Sequence, residues 1–112
     1  MADDVMVVVL LTEDLTDAAA IHRLGAEIHR QVGDRPTPRV VVDFADVRQA
    51  SSATLGMLIA LHAVLGRRGG AMAIANVHRD IIRMFKLTKF HKLAQLYESR
   101  QAAIISLGHV AA

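Results

Sequence analysis

Apolar positions along the chain fall into two rhythms. Val5 to Leu11 is an almost unbroken apolar run rich in β-branched residues, and it predicts a buried strand ending at Thr12-Glu13-Asp14. The rhythm then lengthens: Ile21, Leu24, Ile28 and Val32 recur every three or four residues, the stripe of a helix capped by Asp14 or Thr16 and stopped at Gly33. Both prolines lie in the loop Gly33 to Pro38. Val40 to Phe44 follows as a short strand, continuous enough in its apolar character to be covered on both faces.

The same alternation continues. Leu55, Leu58, Ile59, His62 and Leu65 share one face of a second helix, which opens at Ser51-Ser52-Ala53-Thr54 and ends near Gly66 to Gly70. Ala71 to Ala75 is a third strand of small residues. Asn76-Val77-His78 leads from it into a short helix, Arg79 to about Lys86, whose Ile81, Ile82 and Phe85 face the core. A brief strand at Gln95 to Tyr97 and a helix from Ser99 to about Leu107 complete the pattern. Strands alternating with helices predict the α/β class: one small domain over residues 1–112, core 5–107, with a mostly parallel sheet of about four strands and helices packed against it.

Composition narrows the function classes. With 53% apolar and 21% charged residues, the 112-residue chain carries enough apolar surface for a single core, which excludes disorder. It has no cysteine for a disulfide or thiolate site and no apolar run long enough to cross a membrane. The start Met1-Ala2-Asp3-Asp4 is acidic where a secretory signal is basic, so the expected location is the cytoplasm. The net charge of +2 conceals a division, since Met1 to Asp46 sums to −5 and the remainder to +7. The later cations suit an acidic protein surface or a phosphate, but one Tyr, three Phe and no Trp give single strands no stacking platform. Direct nucleic-acid binding is not expected.

Nor is catalysis. His22 and His29 stand seven apart, His62, His78 and His91 fall on different elements, and no metal-ligand spacing occurs, so neither a metal nor a cofactor is expected. His62 reads as a histidine at the edge of the core, and Asp43 and Asp46 read as caps of the turn after their strand. A small enzyme working through His62 or His91 with Asp43 would lack a nucleophile at recognisable spacing. Gly66, Gly69 and Gly70 follow a helix rather than a strand, which excludes a dinucleotide-binding loop.

The informative stretch is Val40 to Gly56, where a buried strand, a turn and the pair Ser51-Ser52 meet at a helix entrance. A serine there is a helix cap. The same position also suits a phosphoryl group, whose charge of about −1.5 to −2 is stabilised by free N–H groups and the helix dipole. Met57, Ala60, Ala63 and Val64 lie off the main stripe of this helix, a patch for a partner or for a second copy in a homodimer.

That stretch, the glycine break after the helix, Met72-Ala73-Ile74-Ala75-Asn76-Val77 and Ile82-Arg83-Met84-Phe85-Lys86-Leu87-Thr88 together resemble a STAS domain, the domain of anti-sigma factor antagonists. The resemblance runs from Val5 to Leu107. It implies a non-enzymatic binding module whose partner is a serine kinase that doubles as an anti-sigma factor, and whose binding ends when a serine is phosphorylated. Matching Leu55-Gly56 to the family's Leu-Gly places Ser52 on the phosphorylated serine, with Ser51 as second choice. Ser51 then stands where the family usually has aspartate, and Thr54 where it usually has glycine. Ser51, Ser52, Ala53, Thr54, Met57 and Ala60 are the docking residues so implied. The altered motif also fits an alternative, a constitutive accessory subunit of a lipid-transport ATP-binding complex.

Overall fold

A computed structural model describes residues 5–108. In chain order its elements are β1 (Val5–Val9), β2 (Asp14–Leu15), α1 (Ala18–Val32), β3 (Arg39–Asp43), β4 (Gln49–Ala50), α2 (Ser52–Arg67), β5 (Ala71–Ala75), α3 (Arg79–Leu87), β6 (Gln95–Tyr97) and α4 (Arg100–Gly108). A 3-10 turn at Phe90–Lys92 joins α3 to β6. The four longer strands form a parallel sheet in the order β1-β3-β5-β6, so each crossover helix returns the chain beside the strand it has just left. The fold is therefore the small α/β layer structure that the alternating pattern predicts.

Strand alternation divides the core in two. Val40 and Val42 of β3, with Met72 and Ile74 of β5, point to the face covered by α1, α2 and α3. Val41, Ala73 and Ala75 point the other way and meet Ala103 and Leu107 of α4. Val40, Val41 and Val42 are all fully buried, as expected of a strand covered on both faces. The alanines of β5 bring α4 close to the sheet. Gly70 just before that strand tolerates no side chain, because a Cβ there would lie 1.8 Å from the Pro38 carbonyl oxygen.

Several boundaries differ from expectation for identifiable reasons. β1 stops at Val9 and is only half-buried, because it is the sheet edge and has a neighbour on one side alone; Leu11, just beyond, is 83% exposed. Neither Asp14 nor Thr16 caps α1. Asp14 is taken up by a two-residue pairing of β2 with β4, too short to leave a pattern in the sequence, and Asp17 caps the helix by accepting the Ala20 N–H at 2.9 Å. Gly33 does end α1, with φ of 56°, a conformation that suits glycine. On α2 the buried stripe is Thr54, Leu55, Leu58, Leu61 and Leu65, while Ile59 is exposed and His62 half-buried. Apolar residues surround most of this helix, so periodicity alone could not choose the face that α1 and the sheet cover. In α3, Ile81 and Phe85 are buried as expected, and Ile82 only partly.

Candidate functional site

Ser51 adopts extended backbone and is the N-cap of α2; Ser52 is the first helical residue and is exposed. The two hydroxyls therefore have different surroundings. Ser51 Oγ faces the Thr54 N–H in the manner of a capping box, but it is buried with no partner at full hydrogen-bond geometry. The Ser51 backbone N–H donates to Thr54 Oγ1 at 3.1 Å, and that hydroxyl donates to the Leu15 carbonyl oxygen at 2.6 Å. Thr54 is completely buried. Expected among the docking residues, it instead holds the helix entrance to β2 from beneath and offers no surface. A glycine at this position could not make this tie.

Ala53 and Met57 are half-buried and Ala60 is exposed, and all three line an apolar groove of about 460 Å³ between α2 and α1. The α1 wall was not foreseen. Its central residue is Gly25, where a Cβ would sit 3.1 Å from Met57 Cγ, so the absence of a side chain allows the helices their close approach. A glycine inside a helix costs about 1 kcal/mol relative to alanine, and that cost is the sequence signal that could have marked the position. His22 and His29 border the groove. His29 Nδ1 lies 2.8 Å from the Gly25 carbonyl oxygen, so Nδ1 donates and Nε2 is the acceptor of the neutral ring. No acidic residue stands in the first turn of α2 to repel an anion.

Asp43, at the carboxyl end of β3, is 2% exposed. Its Oδ1 accepts the Ala45 N–H at 2.9 Å and Asn76 Nδ2 at 3.1 Å; its Oδ2 pairs with Arg100 Nε at 2.9 Å. Burial pushes its pKa up, but hydrogen bonds from Asn76, Ala45 and Arg100 and the charge of Arg100 outweigh this and hold it below the ordinary value. This carboxylate ties together β3, the turn after β5 and the start of α4. Such an engaged group caps and clamps; it is not poised as a base for His62 or His91. Among the described residues no three His, Asp or Glu side chains gather to hold a metal, and no helix is long and apolar enough to cross a membrane.

The family model of the STAS domain matches residues 2–103. No protein of curated function matches the sequence significantly. Among solved structures, a candidate anti-sigma factor antagonist from Thermotoga maritima is similar with a TM-score of 0.79 at 17% identity, over 90% of this chain and 86% of that one. An anti-sigma-factor antagonist (STAS) domain protein from Planctomyces limnophilus gives 0.83 at 13% identity, over 90% and 88%. A sulfate transporter family protein from Wolinella succinogenes gives 0.76 at 10% identity, over 93% and 84%. At these identities the likeness is one of fold.

Proposed function

The chain belongs to the STAS domain family, and from that footing we propose that it is a non-enzymatic protein-docking module in the manner of an anti-sigma factor antagonist. Its partner is a serine kinase that also acts as an anti-sigma factor. The docking face is the entrance of α2, with Ser51, Ser52, Ala53, Met57 and Ala60, continued by the apolar groove toward α1.

The observation that carries this reading is the position of Ser52, an exposed hydroxyl on the first turn of a 16-residue helix beside an apolar groove. A phosphoryl group there gains from the free N–H groups and positive end of the helix, so the fold accepts it without melting. A partner fitted to the neutral hydroxyl and the groove then meets a bulky dianion and is released. Ser51 Oγ, being buried, is the poorer acceptor, which supports placing the modification on Ser52.

The test begins with a pull-down of the tagged chain from its own cells, followed by binding of the recovered kinase-type protein to two variants. Ser52→Ala is expected to bind like wild type, and Ser52→Asp to lose binding by tenfold or more, the scale of about 1.4 kcal/mol. Equal binding by all three proteins would remove the switch. A second reading, a constitutive accessory subunit of a lipid-transport ATP-binding complex, is compatible with the same fold, which the Wolinella sulfate transporter family protein shares. That role predicts co-purification with a transporter subunit and indifference to Ser52→Asp.

A further inference from the structure

Parallel topology places the two ends of the molecule in different chemical settings. Ser52 and the other candidate docking residues open α2 at the carboxyl ends of the strands; α3 starts at that same end, runs the length of the sheet and finishes at the amino ends, where the 3-10 turn leads into β6. Arg79 to Leu93, covering α3 and this turn, contains Arg79, Arg83, Lys86, Lys89 and Lys92 against the single acid Asp80. All five cations are exposed, and among the described residues none has an ion pair or a hydrogen-bonded side-chain partner.

Large apolar side chains stand among these cations. Leu87 is 79% exposed and Leu93 47%. On α3 itself Arg79, Ile82, Arg83, Lys86 and Leu87 line a shallow recess of about 360 Å³. The inward side of the helix is occupied by Ile81 and Phe85, so the recess and its cations face outward. Helical spacing explains this division, since Arg83 stands four residues after Arg79 and three and four before Lys86 and Leu87, which puts them on one side.

We propose that this outer face of α3 and the following turn docks on an anionic phospholipid bilayer. The chemistry that fits is a layer with phosphates at its surface and hydrocarbon just below. Long Lys and Arg stems lie along apolar surface and raise their heads to phosphates, while Leu87 and Leu93 enter the acyl boundary. Charge complementarity selects the anionic surface, because two leucines alone bury too little to hold a neutral one. A duplex nucleic acid would use the cations but not the leucines. An acidic protein would use both, and it is a distinct outcome of the test. The residues lining the α3 recess are distinct from those lining the groove beside Ser52, so the two activities can be lost independently.

The experiment is co-sedimentation of the full chain with phosphatidylcholine vesicles and with mixed phosphatidylcholine–phosphatidylglycerol vesicles, at low and high salt. Binding is expected only to the mixed vesicles and to fall steeply with salt. Arg83→Gln/Lys86→Gln/Lys89→Gln should weaken it about a hundredfold, since each cation near such a surface contributes about fivefold. Leu87→Ser should weaken it with every charge retained, and Ser52→Asp should leave it unchanged. Circular dichroism establishes that the variants are folded. Absence of binding to mixed vesicles, equal binding by the triple variant, or binding to polyglutamate or duplex DNA without binding to vesicles would each overturn the proposal.

Discussion

Replacing Asp43 by Asn preserves the shape of the side chain but sets an amide where Oδ2 receives Arg100 or where Oδ1 receives Asn76, a donor against a donor. Asp43→Asn should lower stability by about 1–3 kcal/mol, read from the denaturant midpoint. The same residue predicts a pH dependence. Its folded pKa is depressed, so its contribution is fully present above the unfolded value of about 3.9 and is lost as pH falls through the folded value. Arg100 is half exposed, so its charge contributes little of this and the buried hydrogen bonds most. Wild type should lose stability more steeply than Asp43→Asn below about pH 4; equal slopes would show that the clamp is not the acid-sensitive part. Thr54→Val keeps the volume but leaves the Leu15 carbonyl and the Ser51 N–H without their hydroxyl, and should cost about 2 kcal/mol in the same measurement.

The groove between α1 and α2 depends on how near the two helices come. Gly25→Ala removes the conformational penalty of glycine, up to about 1 kcal/mol, and asks only that Met57 Cγ move away from a 3.1 Å contact. Methionine has three rotatable bonds, so it yields easily. The expected result is a melting temperature unchanged or slightly raised, and a fall in it would mean that Met57 is fixed by its neighbours. Gly25→Leu fills the groove instead. It should abolish capture of the partner through Ala53, Met57 and Ala60 while circular dichroism still shows the fold; undiminished capture would place the docking face elsewhere.

At the scale of the molecule the sheet is covered unequally. Three helices share one face, and among the described residues α4 supplies the helix on the other, where Val41, Ala73 and Ala75 meet Ala103 and Leu107. Arg39 also reaches α4, donating to the Leu107 carbonyl oxygen at 2.9 Å, and Tyr97 hydrogen-bonds Ser106. Ending the chain at Glu98 removes all of this and leaves Arg100 absent from Asp43. Domains of this size are stable by about 5–15 kcal/mol, and each large apolar side chain uncovered costs about 1.5–3. The shortened chain should therefore melt at a markedly lower temperature than the full chain; an unchanged melting temperature would mean that the three-helix face suffices.

The order and kind of the longer elements were legible because they are local properties. Three consecutive valines read as a strand covered twice, the spacing from Ile21 to Val32 read as one helical stripe, and each strand-helix alternation implied a parallel crossover. The serine pair at a helix entrance was legible for the same reason. What the chain could not disclose in one dimension is whatever two distant segments decide together. The face that α2 buries, the pairing of Asp14-Leu15 with Gln49-Ala50, the tie from Thr54 to Leu15 and the closeness of Gly25 to Met57 all depend on contacts between residues far apart in sequence. A helix apolar on most sides, or a two-residue strand, carries too little periodic signal to choose its own partner. Burial chose for them: it left Ser52 open to solvent and closed the Ser51 hydroxyl and Thr54 beneath it.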